Sequence, residues 1–331
     1  MLVSVVIPIF NEAALLPELT RRLGEVLSAH ANWQWQVIYV NDGSRDGSEG
    51  ILSRLAAETP WLTVLHLSRN FGHQTAISAG TDYASGDAVI VMDGDLQDPP
   101  ELLPEMLAKW QEGYDVVYAT RKERSGETPF KLLSARLFYR LLQTLSDVYI
   151  PLDTGDFRLM DRKVVNALGQ MREKNRFIRG MVSWVGYRQT ALYYERDERH
   201  SGQTKYTLTR MIRFALDGLL SFSTVPLQLI TTLGFIISAL SFVATLSVFY
   251  IRLFTAIHVE TGWSSIMIGI LMLGGIQLVC LGFIGEYVGR IFDEVRGRPL
   301  YLVRKIEGQP LPDSPDHPLP KELALFTVGA P

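Results

Sequence analysis

The sequence predicts an α/β domain with a mostly parallel sheet, followed by a two-helix transmembrane hairpin. Short runs rich in β-branched residues alternate with segments of helical spacing up to Ala119, a pattern typical of a sheet covered by helices on both faces. Two later stretches lack Asp, Glu, Lys and Arg: 34 residues between Asp217 and Arg252, and 25 residues between Glu260 and Glu286. Each is longer than the roughly 20 residues that a membrane-spanning helix needs.

Five strands and four helices are predicted in the N-terminal part. The strands are Ser4–Phe10, Gln36–Val40, Leu62–Leu67, Ala88–Met92 and Asp115–Ala119. Apolar residues recur at helical spacing between them, which predicts helices around Leu15–Leu27, Ile51–Ala57, Thr75–Tyr83 and Pro100–Trp110. Ligands bind at the carboxyl ends of the strands in sheets of this kind, so the polar residues that follow the strands are the candidate site.

Composition and motifs exclude several classes of protein. The 331 residues carry a net charge of −3, which provides no broad basic surface, so nucleic acid is not expected as a partner. The single cysteine, Cys280, allows neither an internal disulfide nor a cysteine-based zinc site. No G-x-G-x-x-G follows the first strand and no P-loop motif occurs, which argues against a dinucleotide-binding enzyme and a P-loop nucleotidase.

Basic residues are concentrated before the first apolar stretch and after the second. Four lie shortly before the first stretch and five follow the second, and they are Arg199, Lys205, Arg210, Arg213, Arg290, Arg296, Arg298, Arg304 and Lys305. Arg252 alone lies between the stretches. Because positive residues concentrate in cytoplasmic segments, we expect an integral protein of a bacterial inner membrane or its equivalent, with its N-terminal domain and C-terminus in the cytoplasm. A pair of buried core helices is the alternative, but such helices normally carry charge on one face.

The chain is expected to divide into four segments. They are a cytoplasmic domain at 1–205, an amphipathic interface helix at 206–222, two transmembrane helices with a short external loop at 223–289, and a cytoplasmic C-terminal segment at 290–331 whose proline-rich tail is disordered. Gly285 and Gly289 have the spacing that lets helices approach closely. Packing within the hairpin and a homo-oligomer both explain that spacing.

Two carboxylates follow the fourth predicted strand. Asp93 and Asp95 are two residues apart at the end of an apolar run, so their side chains should project to the same side of the extended chain. Gln97 adds a further oxygen ligand. Hard oxygen ligands of this kind suit Mg²⁺ or Mn²⁺ shared with the phosphates of a substrate. A solvated turn is the alternative for a lone D-x-D pair.

Four motifs together carry a resemblance to a known family. They are Val5-Val6-Ile7-Pro8-Ile9-Phe10-Asn11-Glu12, Val40-Asn41-Asp42-Gly43-Ser44, Met92-Asp93-Gly94-Asp95-Leu96-Gln97-Asp98-Pro99-Pro100 and His200-Ser201-Gly202-Gln203-Thr204-Lys205-Tyr206. With the apolar hairpin, they resemble the family 2 glycosyltransferases of GT-A (Rossmann-like) fold over about Leu2 to Lys305. The polyisoprenyl-phosphate branch, which includes bacterial undecaprenyl-phosphate glucosyltransferases and dolichyl-phosphate mannose synthase, is the most similar.

The resemblance implies roles for individual residues. Pro8, Glu12, Asp42 and Asp93 match the positions that bind the nucleotide sugar, and Asp93, Asp95 and Gln97 match the metal site. Asp156, Asp95, Arg199 and Lys205 match the catalytic positions, and Arg121, Lys131, Ser134 and Arg136 match those that bind the acceptor phosphate. Bare sequence leaves alternatives: a turn former for Asp42, a helix N-cap for Asp156, and juxtamembrane charges for Arg199 and Lys205.

The resemblance also implies a reaction. It is an inverting transfer of a hexose, with glucose favoured, from a UDP-sugar to a polyisoprenyl phosphate, with Mg²⁺ or Mn²⁺ as cofactor. GDP-mannose or another UDP-sugar is an alternative donor, and a non-catalytic membrane-anchored scaffold that binds sugar nucleotides is an alternative of another class. A phosphate monoester has a second pKa of about 6, so the acceptor needs orientation more than deprotonation, and Asp156 is expected to orient the reactants rather than act as an obligatory base.

Overall fold

The computed structural model describes residues 1–121, 154–194, 225–254 and 262–309. Eight strands in these ranges form one sheet, and they are β1 (Leu2–Ile9), β2 (Gln34–Asn41), β3 (Leu62–Leu67), β4 (Ala88–Val91), β5 (Val116–Arg121), β6 (Thr154–Asp161), β7 (Gln189–Tyr194) and β8 (Val303–Gly308). The helices are α1 (Leu16–Ala29), α2 (Ser48–Glu58), α3 (His73–Tyr83), α4 (Leu103–Gln111), α5 (Arg162–Gln170), α6 (Ile178–Trp184), α7 (Val225–Phe254) and α8 (Trp263–Val295).

The sheet has the order β7-β5-β6-β4-β1-β2-β3-β8. Its centre, from β4 to β3, is parallel, and β7 is parallel to β5. Strand β6 is antiparallel to β4 and β5, and β8 is antiparallel to β3. The α/β prediction with a mostly parallel sheet is confirmed, and the five predicted strands and four predicted helices lie within a few residues of the observed ones.

Strand β1 lies in the middle of the sheet because it is apolar on both faces. Val5, Val6 and Ile7 are all completely buried, as expected for a strand covered by helices on both sides. Its carboxyl end therefore opens beside the ends of β2 and β4, where the predicted polar motifs begin.

Three strands were not predicted from the sequence: β6, β7 and β8. Strand β8 is short, rich in charge and located at one edge of the sheet, so it lacks the apolar alternation by which a strand is recognised. It extends the sheet domain to residues that follow the apolar helices along the chain.

The two long apolar helices belong to a second compact unit. Large apolar side chains on them are exposed, for example Phe235 (74%), Phe242 (65%) and Leu278 (71%). Within the described residues, one helical segment, Met272–Val295, is long and apolar enough to cross a membrane.

Several predictions fall on residues outside the described ranges. They concern the interface helix at 206–222 and the side chains of Lys131, Ser134, Arg136, Arg199 and Lys205. Arg121 is the last residue of β5.

Candidate active site

The loops that follow β1 and β2 interlock at the carboxyl edge of the sheet. The backbone N–H of Asn11 donates to Ser44 Oγ (3.0 Å), and Asn11 Oδ1 accepts from the N–H of Arg45 (2.8 Å). The N–H of Glu12 donates to Ser48 Oγ (3.2 Å). Asn11 adopts the left-handed conformation, with φ of 58°, which asparagine tolerates better than most residues. These contacts place Glu12 beside the loop that contains Asp42, next to the buried Pro8.

Asp42 holds the turn that precedes α3. Its carboxylate accepts hydrogen bonds from the N–H groups of Phe71 (2.7 Å) and Gly72 (2.9 Å), and the residue is 2% exposed. Burial raises the pKa of Asp42, although both amides favour the ionised form. Asp42 therefore ties the loop after β2 to residues 71 and 72, which lie outside its own turn.

Gly43 allows the loop after β2 to pack against the loop after β3. Its φ is +64°, and a Cβ atom there would lie 2.6 Å from the backbone of both Arg69 and Asn70. Backbone atoms cannot move aside as a flexible side chain can, so only glycine fits at this position.

The acidic loop after β4 is a tight and strained turn. The N–H of Asp93 donates to Asp98 Oδ2 (3.3 Å), and the N–H of Gln97 donates to Asp95 Oδ1 (3.1 Å). Leu96 has a φ of 60° and is 4% exposed. A left-handed leucine costs on the order of 1–2 kcal/mol, and strain of this kind concentrates at functional sites. The turn keeps Asp93, Asp95 and Gln97 within one short segment.

Asp93 lies where negative charge is in excess. Its Oδ1 is buried and has no hydrogen-bond partner among the described residues; His73 Nε2 lies 3.5 Å away. Burial and the neighbouring carboxylate of Asp98 together raise the pKa of Asp93 to about 7, although the charge of His73 acts to lower it. A site that disfavours its own negative charge in this way is suited to a cation.

The donor set fits a metal ion that is shared with a ligand. In the described part of the chain, no three His, Cys, Asp or Glu side chains are arranged to hold a metal ion. Mg²⁺, however, is commonly held by one or two carboxylates, with phosphates and water completing its coordination. Asp93 and Asp95, with the amide oxygen of Gln97, match that pattern.

Asp156 lies on β6 and is held from two helices. Arg179 of α6 approaches it through Nε (2.8 Å) and Nη2 (3.2 Å), and His73 Nε2 and Gln74 Nε2 of α3 each lie 3.1 Å from its Oδ2. The N-cap alternative is wrong, because Asp156 is inside a strand and α5 is capped by Asp161, which accepts from the N–H of Lys163.

The surroundings of Asp156 keep it ionised. Burial alone would raise its pKa, but the charge of Arg179 and the hydrogen bond from His73 outweigh burial and hold the pKa well below its usual range. Burial lowers the pKa of His73, but the hydrogen bond to Asp156 and the charge of Asp93 raise it by more. Asp156 is therefore a fixed anion and a weak base.

His73, Gln74 and Arg179 were not predicted from the sequence. His73 links the two acidic groups, since its Nε2 lies 3.5 Å from Asp93 Oδ1 and 3.1 Å from Asp156 Oδ2. Gln74 also accepts from the N–H of Ile178 through Oε1 (2.9 Å), which ties α3 to α6. The available signals were weak: a His-Gln pair that opens a predicted helix, and one arginine within an otherwise apolar segment.

The fold and site together define a class of protein. A mostly parallel sheet with a carboxylate-rich loop suited to a cation is typical of enzymes that bind a phosphorylated ligand. The sequence pattern described as Glycosyl transferase family 2 matches residues 4–169, half of the chain, and the chain belongs to this family. It is a glycosyltransferase, and the predicted resemblance is confirmed.

Similar proteins extend beyond the matched domain. The "Uncharacterized glycosyltransferase YkcC" of Bacillus subtilis (strain 168) is 50% identical over 305 residues, which cover 92% of this chain and 94% of that protein. The "Bactoprenol glucosyl transferase" of Shigella phage SfV is 39% identical over 304 residues, 92% of this chain and 98% of that protein. A solved structure, glucosyl-3-phosphoglycerate synthase from Mycobacterium tuberculosis with phosphoglyceric acid, is 23% identical with a TM-score of 0.45 and covers 66% of this chain and 79% of that one.

Proposed function

We propose that this glycosyltransferase transfers glucose from UDP-glucose to a polyisoprenyl phosphate. One geometric observation carries the proposal: a single imidazole, that of His73, lies within 3.5 Å of both Asp93 and Asp156. The acidic loop after β4 and the ionised Asp156 thus belong to one site, as a reaction between a diphosphate donor and a second substrate requires. The relatives named bactoprenol glucosyl transferase, similar over nearly their full length, support glucose and a lipid phosphate.

The donor half of the site lies on the loops after β1, β2 and β4. Pro8, Glu12, Asp42 and Asp93 would bind the nucleoside, with Asp42 accepting from the ring N–H of uracil. Asp93, Asp95 and Gln97 would hold Mg²⁺ or Mn²⁺, and such an ion stabilises the charge that develops on a diphosphate leaving group. Arg199 and Lys205, by resemblance, would approach the same phosphates.

Asp156 would orient the reaction rather than accept a proton. Its low pKa makes it a poor base, and a lipid monophosphate is already ionised at neutral pH. A fixed anion beside the attacked carbon would instead stabilise positive charge that develops there. Direct attack by the phosphate oxygen on an α-linked donor forms the new C–O bond opposite the breaking one, so the product would be β-linked. Arg121, Lys131, Ser134 and Arg136 would bind the acceptor phosphate.

The order of the chain supports two membrane spans. Strand β3 precedes both apolar helices, β8 follows them, and the two strands are neighbours in one sheet. The chain between them must therefore cross a membrane an even number of times. If Met272–Val295 is one span, then α7, which is 30 residues long and rich in apolar residues, is the candidate for the other. The basic residues at both outer ends then favour a cytoplasmic sheet domain, and the Gly285–Gly289 spacing would allow close packing of helices in a homo-oligomer.

An assay with a panel of donors tests the proposed function. Purified full-length protein in detergent is given short-chain polyprenyl phosphate, Mg²⁺ or Mn²⁺, and one of UDP-glucose, UDP-galactose, UDP-N-acetylglucosamine or GDP-mannose. We expect a lipid-linked hexose from UDP-glucose and little from the others. If only GDP-mannose gave a product, GDP-mannose would replace UDP-glucose as the proposed donor. Nucleotide binding without any lipid product would favour the non-catalytic scaffold.

A further inference from the structure

A line of buried polar side chains crosses three neighbouring strands on one face of the sheet. Glu307 of β8 lies 2.8 Å from His66 Nε2 of β3, and His66 Nδ1 lies 3.0 Å from Asn41 Nδ2 of β2. His66 and Asn41 are register partners, which explains why their side chains meet. The side chains of His66 and Glu307 are 0% and 17% exposed, so water cannot easily replace these contacts.

The donor and the acceptor of each hydrogen bond in this line can be assigned. Asn41 Oδ1 accepts from the N–H of Ser44 (3.0 Å), so the amide nitrogen of Asn41 must donate to His66 Nδ1. His66 therefore carries its proton on Nε2 and donates it to Glu307. Burial lowers the pKa of His66 in spite of the nearby carboxylate, in agreement with a neutral ring. Ser53 of α2 donates to the same oxygen of Glu307 (2.7 Å) and holds it in place.

The line ends at the loop that precedes α2. Asn41 holds the N–H of Ser44, and Ser44 Oγ in turn accepts from the N–H of Asn11. Asn41 is also the residue directly before Asp42. A continuous chain of hydrogen bonds thus links Glu307, through His66 and Asn41, to the backbone at which the loops after β1 and β2 meet.

We propose that Glu307 is a positioning residue for the sugar-nucleotide site and acts through His66 and Asn41 on residues 41–44. The strand after the apolar helices would then be part of the donor site's support, rather than only an edge of the sheet. This inference rests on the proposed function in one respect, namely that residues 41–44 contact the donor nucleotide.

The test compares two substitutions on β8 in the full-length protein. Glu307→Ala leaves the Nε2–H of His66 without its acceptor. Arg304→Ala is the matched control, because Arg304 pairs with Glu49 on the exposed surface. We expect the KM for UDP-glucose to rise about tenfold in E307A, equivalent to about 1.4 kcal/mol, with the KM for the lipid phosphate unchanged. E307Q keeps an acceptor oxygen and should restore the donor KM. A lowered Tm in E307A with a donor KM equal to that of R304A would overturn the proposal.

Amide hydrogen exchange provides a readout that needs no substrate. We expect the N–H groups of Ser44 and Arg45 to exchange about tenfold faster in E307A than in R304A, because their local opening becomes easier. Unchanged exchange at both amides would refute the inference even if the protein proves to use another donor. If E307A does not fold, Ser53→Ala removes one support of Glu307, and it should produce the same two changes at smaller size.

Discussion

Replacing Asp95 with asparagine is expected to lower kcat for sugar transfer by about 10²- to 10³-fold, the usual loss when one group that stabilises transition-state charge is removed. Asparagine has nearly the same size and retains the Oδ1 that accepts from the N–H of Gln97, so the turn should survive. The substitution removes the negative charge that would hold Mg²⁺ or Mn²⁺. Initial rates at saturating UDP-glucose, over a range of Mn²⁺ concentrations, measure the effect.

Asp115→Asn is the matched control for this substitution. Asp115 precedes β5, where its carboxylate pairs with Lys163, at the end of the sheet opposite the acidic loop. D115N should keep most of the activity. If D95N also kept more than about a tenth of the wild-type kcat, a loss far below that of a transition-state contact, the metal role of Asp95 would be wrong.

Replacing Arg179 with alanine is expected to lower the free energy of unfolding by about 3 kcal/mol. Removing one partner of a buried ion pair costs about 3–5 kcal/mol, because the other charge stays buried and unpaired. The lower end applies here, since a quarter of the Arg179 side chain is exposed whereas the carboxylate of Asp156 is almost fully buried. His73 and Gln74 still contact Asp156. Denaturant unfolding in detergent, followed by a signal from the sheet domain, measures the change.

The pH dependence of stability distinguishes loss of the Arg179–Asp156 ion pair from a non-specific loss of stability. The pKa of Asp156 is lower in the folded chain than in the unfolded chain, where it is about 3.9, so the folded state binds fewer protons. The stabilisation from the pair is therefore present above about pH 4 and is lost as the pH falls below that value. In R179A this part of the acid sensitivity should disappear. Arg21→Ala removes an arginine whose side chain is 55% exposed and whose ion pair lies on the surface, so it should change neither the stability nor its pH dependence by a comparable amount.

The fold was largely predictable because its central elements are locally encoded. The strands from β1 to β4 are rich in β-branched and other apolar residues, and the helices between them repeat apolar residues on one face, so a short window of sequence is sufficient to recognise each. Strand β8 escaped recognition because its pairing with β3 joins residues about 240 positions apart, as in the contact between His66 and Glu307. Nothing within the six residues of β8, three of which are charged, indicates such a partner.

The candidate site likewise contains a part that is encoded locally and a part that is not. Asp93, Asp95 and Gln97 were predictable because one short turn contains them, and Asp42 because it directly follows a strand. The surroundings of Asp156 were not, since His73 is 83 positions before it and Arg179 is 23 positions after it. Their meeting depends on how α3 and α6 are placed beside β6, and it makes Asp156 a buried, paired anion.

The most direct test of the proposed reaction is the structure of its lipid product. Full-length protein is incubated with UDP-glucose, undecaprenyl phosphate and Mn²⁺, and the lipid is extracted for mass spectrometry and NMR of the anomeric proton. We expect a single glucosyl phosphodiester of the lipid with β configuration. An α-linked product would contradict direct displacement, and release of UDP with free glucose as the only sugar product would contradict transfer to a lipid phosphate.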